Sequence, residues 1–294
     1  MKLRQIGAGV FGSFMNNVAK KVKRFQVLEP FTRTSGLSWE RDVVGAGACE
    51  AVYVCSPDAL HAIHTKECLQ NGKHVLVEKP VYNFQSVREV AERSGKVLMI
   101  GFHRRHDEEF RKAKKYVEKE ASNTKRILIE SYDPVPEDKD LANVVCNSVV
   151  HDLDVIHWLF DHDAEIRFDF DRSAGNSHHS TLDLRFEIKT KHGENIIDVQ
   201  ILYRKCYPKY VQRLTIDDKA FGYVFEADPD TTFPAAWSIS GPCMANEWEH
   251  AYKKQYEEFA NMIQSNDLKR RTRLLDEYSA TFNMMDNVAQ HFSS

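Results

Sequence analysis

The sequence has no long hydrophobic run and no excess of charge of one sign. No stretch approaches the ~18 consecutive apolar residues that a membrane-spanning helix requires. Lys and Arg (40) nearly balance Asp and Glu (43), which leaves a formal net charge of −3. This balance argues against binding to nucleic acid or to an acidic membrane surface. A strand-like segment begins within the first few residues, so we expect no signal peptide and a cytoplasmic protein.

Cysteine is infrequent, and its spacing argues against two kinds of site. The six cysteines include no CxxC pair, and several of them lie in apolar runs. This pattern favours reduced thiols in a reducing compartment over a disulfide framework or a zinc site. Histidine pairs occur, but none has a second ligand pair at a convincing spacing, so we expect no metal ion. These residues are Cys49, Cys55, Cys68, Cys146, Cys206, Cys243 and the pairs His61–His64, His103–His106 and His178–His179.

The order of the hydrophobic segments divides the chain into two parts. A length of 294 residues allows roughly two domains of about 150 residues each. In the first part, short apolar strands alternate with helices, which is typical of an α/β fold with a doubly wound parallel sheet. The predicted strands of this part are 3–6, 25–31, 50–55, 74–77 and 97–100.

The pattern changes after residue 101. Strands separated by turn signals now predominate, which predicts an α+β domain with a mainly antiparallel sheet and a hairpin at Lys191-His192-Gly193. We therefore predict a nucleotide-binding domain at 1–101 and a second domain at 102–294, whose last helix is able to pack back on the first. The predicted helices are 107–120, 151–160, 248–263 and 276–291, and the predicted strands are 126–132, 166–170, 180–190, 195–203 and 210–216.

A glycine-rich segment joins the first strand to the first helix. In this glycine loop, Gly7-Ala8-Gly9-Val10-Phe11-Gly12, the glycines follow the pattern G-x-G-x-x-G. Gly7 permits a tight turn, Gly9 lets a pyrophosphate approach the backbone, and Gly12 lets the helix pack closely on the strand. The helix begins near Val10 and Phe11, where free N–H groups and a partial positive charge favour phosphate. The loop therefore predicts a dinucleotide site.

The adenosine end of this site has two candidate residues. The segment 25–31 is apolar but contains Glu29-Pro30, and proline does not belong in a central strand. Glu29 could bind the 2′-hydroxyl of NAD, whereas Arg33 could bind the 2′-phosphate of NADP. A helix of normal length after Gly12 places the end of the strand near Thr32, which favours Arg33 and NADP. NAD remains open.

A lysine follows the strand at 74–77. The tripeptide Glu78-Lys79-Pro80 comes directly after this buried strand. Ligands of open α/β sheets lie outside the carboxyl ends of the strands, and Pro80 cannot continue the strand. Lys79 is therefore well placed to meet a substrate. The alternative interpretation is a surface lysine that closes a strand.

Five motifs occur in order between Gly7 and Asp154. They are the glycine loop, Ser56-Pro57-Asp58 with His61, Glu78-Lys79-Pro80, the segment from Gly101 to Asp107, and the segment from Asn147 to Asp154. In this combination the chain resembles the family of glucose–fructose oxidoreductase, inositol dehydrogenase and MocA-like oxidoreductases, with inositol dehydrogenase the nearest in motif. The resemblance implies a Rossmann domain, a C-terminal domain with an open sheet, and a homodimer or homotetramer. It also implies hydride transfer between NAD or NADP and a secondary alcohol or ketone of a sugar, cyclitol or related polyol.

The resemblance implies roles for individual residues as well. Lys79 would hydrogen-bond the reacting oxygen, and His151, which titrates naturally near neutrality, would accept the proton. Asn147 completes this predicted catalytic set. The other predicted contacts are Gly7, Gly9, Val10, Phe11, Gly12, Arg33, Ser56, Pro57, His61, Glu78 and Lys79 to the cofactor, and His103, Arg104, Asp133 and Asp154 to the substrate.

Two departures from the family pattern carry consequences. Asn147 stands where relatives have an aspartate, so Lys79 and His151 lose a negative charge that would stabilise their protonated forms. We expect lower pKa values for both groups and a lower pH optimum than in an aspartate enzyme. In addition, Gly12 and Cys55 are closer in sequence than in relatives, which predicts that the second helix and third strand of the nucleotide fold are largely deleted.

These departures leave alternatives to a dehydrogenase. One is a regulatory or scaffolding protein that binds a dinucleotide and has weak or no turnover. Another is an enzyme that reduces an unsaturated or aromatic substrate, which would use the same cofactor site without needing His151. Fold alone does not decide among them.

Overall fold

The computed structural model describes residues 1–120, 122–133, 138–160, 164–190, 196–205, 209–226 and 242–293. The chain forms two compact units, one of Met1–His106 with Glu247–Ser279 and the other of Asp107–Asn246 with Ala280–Ser294. The units differ from the predicted ranges because the C-terminal helices are divided between them. The predicted hairpin at Lys191-His192-Gly193 and Cys206 lie outside the described residues.

The helices and strands follow the predicted change of pattern along the chain. The helices are α1 (Val10–Lys20), α2 (Asp58–Gln70), α3 (Phe84–Ser94), α4 (Glu108–Glu120), α5 (Leu141–Val144), α6 (Val150–Leu159), α7 (Pro242–Ser265) and α8 (Leu268–His291). The strands are β1 (Lys2–Ile6), β2 (Gln26–Val27), β3 (Ala51–Val54), β4 (His74–Val77), β5 (Leu98–Ile100), β6 (Arg126–Tyr132), β7 (Ala164–Phe168), β8 (Ala174–Asn176), β9 (Thr181–Thr190), β10 (Ile196–Arg204), β11 (Lys209–Ile216) and β12 (Lys219–Glu226).

The first unit contains a five-stranded sheet in the order β2-β1-β3-β4-β5. All of its strand pairs are parallel. Every residue of β3 is buried with no exposed surface, as expected for a strand covered on both faces. Burying each large apolar side chain contributes about 1.5–3 kcal/mol. Tyr252, Tyr256 and Phe259 of α7 belong to the same core as Leu3 of β1.

The predicted strand at 25–31 is wrong in extent, since β2 has only two residues. Pro30 lacks an N–H group and cannot continue the ladder. Pairing resumes at Phe31, whose N–H donates to the Gln5 carbonyl over 2.7 Å and whose carbonyl accepts from the Gly7 N–H over 2.9 Å. The segment therefore still reaches the carboxyl end of β1.

The shortening of the nucleotide fold is visible between β2 and β3. This part of the chain is described throughout, and its only regular element is a five-residue π-helical turn, Trp39–Val43. Ser38 caps the turn by accepting from the Arg41 N–H over 3.2 Å. A π-helical turn thus stands where a full doubly wound fold has a helix and a strand.

The second unit contains a seven-stranded sheet in the order β12-β11-β6-β10-β9-β7, with β8 paired to β9. The pairing of β6 with β10 is parallel, and the other pairs are antiparallel. Burial alternates along β6, as expected for a sheet with one face on the core. The predicted fold class is therefore confirmed. In the described part of the chain, no helix combines the length and apolarity needed to cross a membrane.

Candidate active site

The glycine loop packs tightly against the end of β3. Gly7 has a φ of +90°, and a Cβ built on it would lie 2.2 Å from the Cys55 carbonyl oxygen. A Cβ on Gly12 would lie 2.9 Å from the Gly7 carbonyl oxygen. Both positions therefore require glycine for close approach of backbone to backbone.

Gly9 is open where the other two glycines are enclosed. A Cβ built on Gly9 would have no heavy atom of the described residues within 4 Å. Gly9 immediately precedes α1, and since glycine has no side chain it leaves the first N–H groups of the helix uncapped by its own atoms. An uncapped helix N-terminus beside open space fits a pyrophosphate.

Gln5 fixes the glycine loop through two hydrogen bonds. Its Nε2 donates to the Gly7 carbonyl over 2.6 Å and to the Gly12 carbonyl over 2.7 Å. The side chain is buried within β1. Gln5 was not predicted to belong to the site, although a polar residue in a strand just before a glycine loop is a usable signal.

Val10 and Phe11 can contribute to a cofactor site in different ways. Val10 is 61% exposed. The ring of Phe11 packs edge-on against Tyr252 at 5.6 Å between centroids, and the ring of His103 packs on the same tyrosine at 4.7 Å. An aromatic cluster therefore holds the start of α1 and the end of β5 against α7, which leaves the backbone of Phe11 as its polar contribution.

His61 joins the loops that follow β3 and β4. Its Nδ1 lies 2.8 Å from the Pro80 carbonyl oxygen, and its Nε2 lies 2.7 Å from the Ser56 carbonyl oxygen. Burial lowers the pKa of His61, and the two carbonyl oxygens oppose that effect. Pro57, which directly precedes α2, and Ser56 are thereby fixed relative to the Lys79-Pro80 segment.

Glu78 is a buried acid that directly follows β4. The Tyr53 hydroxyl donates to its Oε1 over 2.8 Å. A Cβ on Gly101 would lie 2.6 Å from the same oxygen, so only glycine at 101 leaves room for the carboxyl group. Burial raises the pKa of Glu78 to about 7, although the charge of Lys79 acts in the opposite direction. The carboxyl group is enclosed between Tyr53 and Gly101, so a contact with cofactor would come from the Glu78 backbone.

Lys79 is half-buried at the end of β4. The pKa of His103 is lowered well below its ordinary value, first by burial and then by the positive charges of Arg104 and Lys79. His103 and Arg104 lie in a buried turn directly after β5. The ends of two neighbouring strands therefore bring these three predicted site residues together.

The two candidates for the adenosine end lie on the surface. Glu29 and Arg33 are both exposed. The backbone carbonyl of Glu29 accepts from the Arg4 guanidinium over 2.6 Å, which fixes the chain at this point. Either side chain is accessible to a ribose, and the choice of cofactor stays a prediction.

In the second unit, Asn147 and His151 lie around an irregular turn. Asn147 belongs to a π-helical turn, Val145–Val149, which leads directly into α6. Its Nδ2 donates to Asn143 Oδ1 over 2.5 Å. His151 is half-buried on the first turn of α6. Single π-helical turns occur often at functional sites.

The two predicted substrate aspartates of this unit already have hydrogen-bond partners. Asp154 is buried and accepts from the Thr281 hydroxyl over 3.3 Å. Asp133 accepts from the Tyr203 hydroxyl over 2.7 Å, and burial together with the charge of Asp133 raises the pKa of Tyr203. Tyr203 was not predicted to belong to the site. Its alternation within β10 marks it as inward-facing but does not show what its hydroxyl contacts.

Asp152 is a further polar residue that was not predicted from the sequence. It is fully buried and accepts from the Ser131 hydroxyl over 2.7 Å. This bond ties α6 to β6 and orients the helix that carries His151. Among the described residues, no group of three or more His, Cys, Asp or Glu side chains is arranged to hold a metal ion.

Comparison with known proteins agrees with this geometry. Residues 8–102 match the GFO_IDH_MocA oxidoreductase family with an NAD-binding Rossmann fold. The chain is 32% identical over 128 residues to an uncharacterized oxidoreductase, YrbE, of Bacillus subtilis (strain 168), covering 40% of this chain and 38% of that protein. It is 24% identical over 225 residues to inositol 2-dehydrogenase of Klebsiella pneumoniae (strain 342), covering 74% of this chain and 66% of that protein.

Solved structures resemble the chain over nearly its whole length. Apo scyllo-inositol dehydrogenase of Lactobacillus casei has a TM-score of 0.72 at 18% identity, covering 99% of this chain and 96% of that chain. The structure of scyllo-inositol dehydrogenase from this organism with bound NAD(H) and scyllo-inositol has a TM-score of 0.65 at 17% identity, covering 96% and 95%. At such identities the likeness establishes the fold. The resemblance read from the motifs is confirmed.

Proposed function

We propose that this chain, whose residues 8–102 belong to the GFO_IDH_MocA oxidoreductase family, is an NAD(P)-dependent dehydrogenase acting on a secondary alcohol of a cyclitol, sugar or related polyol. One arrangement carries the proposal. The carboxyl ends of four parallel strands bring the glycine loop, Ser56, Lys79 and His103 to the same edge of one sheet. That edge is where ligands of open α/β sheets bind.

The residues of this edge fit a nicotinamide dinucleotide. Gly9 and the start of α1 would hold the pyrophosphate, and the loop of Ser56 and Pro57, fixed by His61, would lie along the nicotinamide half. When bound, the oxidised nicotinamide accepts a hydride, which the amino-acid side chains cannot do. The protein would supply position and charge.

Two side chains would manage the proton of the alcohol. Lys79 would donate a hydrogen bond to the reacting oxygen and stabilise its developing negative charge. His151 would take the hydroxyl proton as the general base. His103, kept neutral by burial and by neighbouring cations, can bind a substrate hydroxyl as donor or acceptor, together with Arg104.

The cofactor choice and the assembly are narrower proposals. The family description and the Lactobacillus casei complex both name NAD, whereas Arg33 favours NADP. Titrating NADH and NADPH into wild type, Arg33→Ala and Glu29→Ala would decide. Arg33→Ala should weaken NADPH alone if NADP is the cofactor, and Glu29→Ala should weaken NADH alone if NAD is. Light scattering would test the proposed homodimer or homotetramer.

One experiment tests the function itself. NADH and NADPH are titrated by fluorescence, and a panel of cyclitols and sugars is then screened for cofactor reduction with wild type and Lys79→Ala. We expect binding by both proteins and turnover by the wild type alone. Tight binding without turnover, unaffected by the lysine change, would support a regulatory or scaffolding protein instead. The π-helical turn in place of a helix and strand, and Asn147 in place of aspartate, are the observations that favour this alternative.

A further inference from the structure

Three aromatic rings form a continuous cluster at the shortened end of the first sheet. Trp39, on the π-helical turn between β2 and β3, contacts Phe31 edge-on at 5.4 Å between centroids. On another side it lies against His64 of α2 at 5.0 Å with an interplanar angle of 37°. We call Phe31, Trp39 and His64 the aromatic wall. It bridges the segment that follows β2 to the second turn of α2.

Hydrogen bonds connect the aromatic wall directly to the predicted cofactor residues. The Phe31 carbonyl accepts from the N–H of Gly7, the first residue of the glycine loop, over 2.9 Å. His64 Nδ1 lies 3.0 Å from the Ser56 hydroxyl oxygen. The wall is therefore hydrogen-bonded to the glycine loop through Phe31 and to the loop that follows β3 through His64.

The position of the wall corresponds to the adenosine side of a dinucleotide site. In doubly wound folds the dinucleotide crosses the carboxyl ends of the strands, and the ribose of its adenosine half meets the end of the second strand. Phe31 lies at that end here, because pairing to β1 resumes at this residue. The adenine ring beyond the ribose would then reach Trp39.

Trp39 is held in orientation and still has accessible surface. Its Nε1 donates to Glu67 Oε1 over 2.5 Å, and all three wall residues are half-buried. A fixed, partly exposed indole can stack on a base without ordering cost at the moment of binding.

We infer that Trp39 stacks on the adenine ring of the dinucleotide and closes this end of the site in place of the missing helix and strand. The inference rests on the proposed dinucleotide binding and adds the residue that reads the adenine. The π-helical turn that carries Trp39 would then contribute to the affinity for the adenosine half of the cofactor, although none of the sequence motifs includes this turn.

The test separates the two halves of the cofactor. Wild type, Trp39→Ala, Trp39→Phe and the control Trp158→Phe, in the other unit, are titrated with ADP-ribose by calorimetry and with reduced nicotinamide mononucleotide by fluorescence. Loss of base stacking should weaken ADP-ribose about tenfold or more in Trp39→Ala. Trp39→Phe should fall between it and wild type, and Trp158→Phe should match wild type. Binding of the mononucleotide should stay within about twofold, since it lacks the adenosine.

Each other outcome has a definite meaning. Equal ADP-ribose affinity in wild type and both Trp39 variants would overturn the inference while leaving the proposed function standing. An equal loss for both probes would also overturn it, because the turn would then support the whole fold. If Trp39→Ala does not fold, Trp39→Phe alone decides by the same comparison. Wild type that binds neither probe nor NADH would overturn the inference and the proposed function together.

Discussion

The two units place their polar residues by different means. In the first unit, the carboxyl ends of adjacent parallel strands collect the glycine loop, Ser56, Lys79 and His103 at one edge. In the second unit, Asp133 and Asp154 take their partners, Tyr203 and Thr281, from elements remote in sequence. Parallel βα units make neighbours out of successive strand ends, whereas Asp133 and Asp154 meet their partners through the register of β6 with β10 and through the packing of α6 on α8. A motif therefore locates a site in the first unit far better than in the second.

The units also differ in what their buried acids do. Glu78 of the first unit is enclosed by Gly101 and Tyr53, and its pKa is raised to about 7. Asp152 and Asp154 of the second unit accept hydrogen bonds from hydroxyl groups. Enclosure raises the pKa of Glu78 to near neutrality, whereas the hydrogen bonds of Asp152 and Asp154 fix the position of α6. We expect cofactor binding to depend on the first unit.

The largest expected effect is that of His151→Asn. Removing a general base should reduce kcat about 10²- to 10⁴-fold, while NADH affinity stays within about twofold because the glycine loop lies in the other unit. His157→Asn, on the same helix, is the matched control and should retain most of kcat. Steady-state kinetics and an NADH titration measure both quantities. Unchanged kcat would favour the enzyme that reduces unsaturated or aromatic substrates, which has no need of His151.

Glu78→Gln should change how stability depends on pH. The folded-state pKa, about 7, exceeds the ordinary 4.5, so the stabilising contribution is present below pH 4.5 and is lost as pH rises through 7. By linkage the loss amounts to about 3 kcal/mol. Because glutamine does not ionise, the variant should not lose stability over this pH range and should be more stable than wild type at pH 8. Urea unfolding from pH 4.5 to 8 measures this, with the exposed Glu89→Gln as control; parallel curves for wild type and Glu78→Gln would refute the assignment.

The glycines of the loop should separate folding from binding. Gly7→Ala places a Cβ 2.2 Å from the Cys55 carbonyl oxygen at a φ of +90°, which should destabilise the fold by about 2 kcal/mol or more. Gly9 has an ordinary φ of −63° and open space at its Cβ position. Gly9→Ala should therefore leave thermal unfolding unchanged but weaken NADH about tenfold, or about 1.4 kcal/mol. A Gly9 variant that binds NADH normally would show that the pyrophosphate lies elsewhere.

Asn147→Asp should have the smallest effect. A carboxylate at the head of α6 favours the protonated form of His151 and should move the pH–rate profile of kcat upward by up to about one unit. Asn143→Asp, which adds the same charge one turn earlier on an exposed residue, is the control and should shift the profile less. An unchanged profile in the Asn147 variant would remove the assigned role of this position.

Much of the first unit could be predicted because its signals are local. The buried strands at 50–55 and 74–77 are visible as apolar runs. The pattern of glycines in the glycine loop indicates where the backbone needs a tight turn or close packing. Pro30 correctly indicated that the second strand would be interrupted. The clamp by Gln5 and the enclosure of Glu78 by Tyr53 were not predicted, since they depend on which strand positions the sheet places side by side.

The second unit shows where sequence patterns lose power. Strand β8 was missed because all three of its residues are exposed and show no apolar alternation. Strand β12 was missed although its sequence is rich in aromatic and apolar residues, and only a two-residue turn at Asp217 separates it from β11. The partners of Asp133 and Asp154 follow from register and helix docking. Tertiary contacts of this kind leave no periodic trace in the chain.

Label transfer tests the central claim most directly. Wild type is incubated with oxidised cofactor and a cyclitol or sugar, chosen from the screen, that carries deuterium on its carbinol carbons, and the reduced cofactor is analysed by mass spectrometry. We predict one deuterium per reduced cofactor with wild type and none above background with Lys79→Ala at equal cofactor occupancy. Wild type that binds the cofactor tightly and transfers no deuterium from any substrate of the panel would contradict the account.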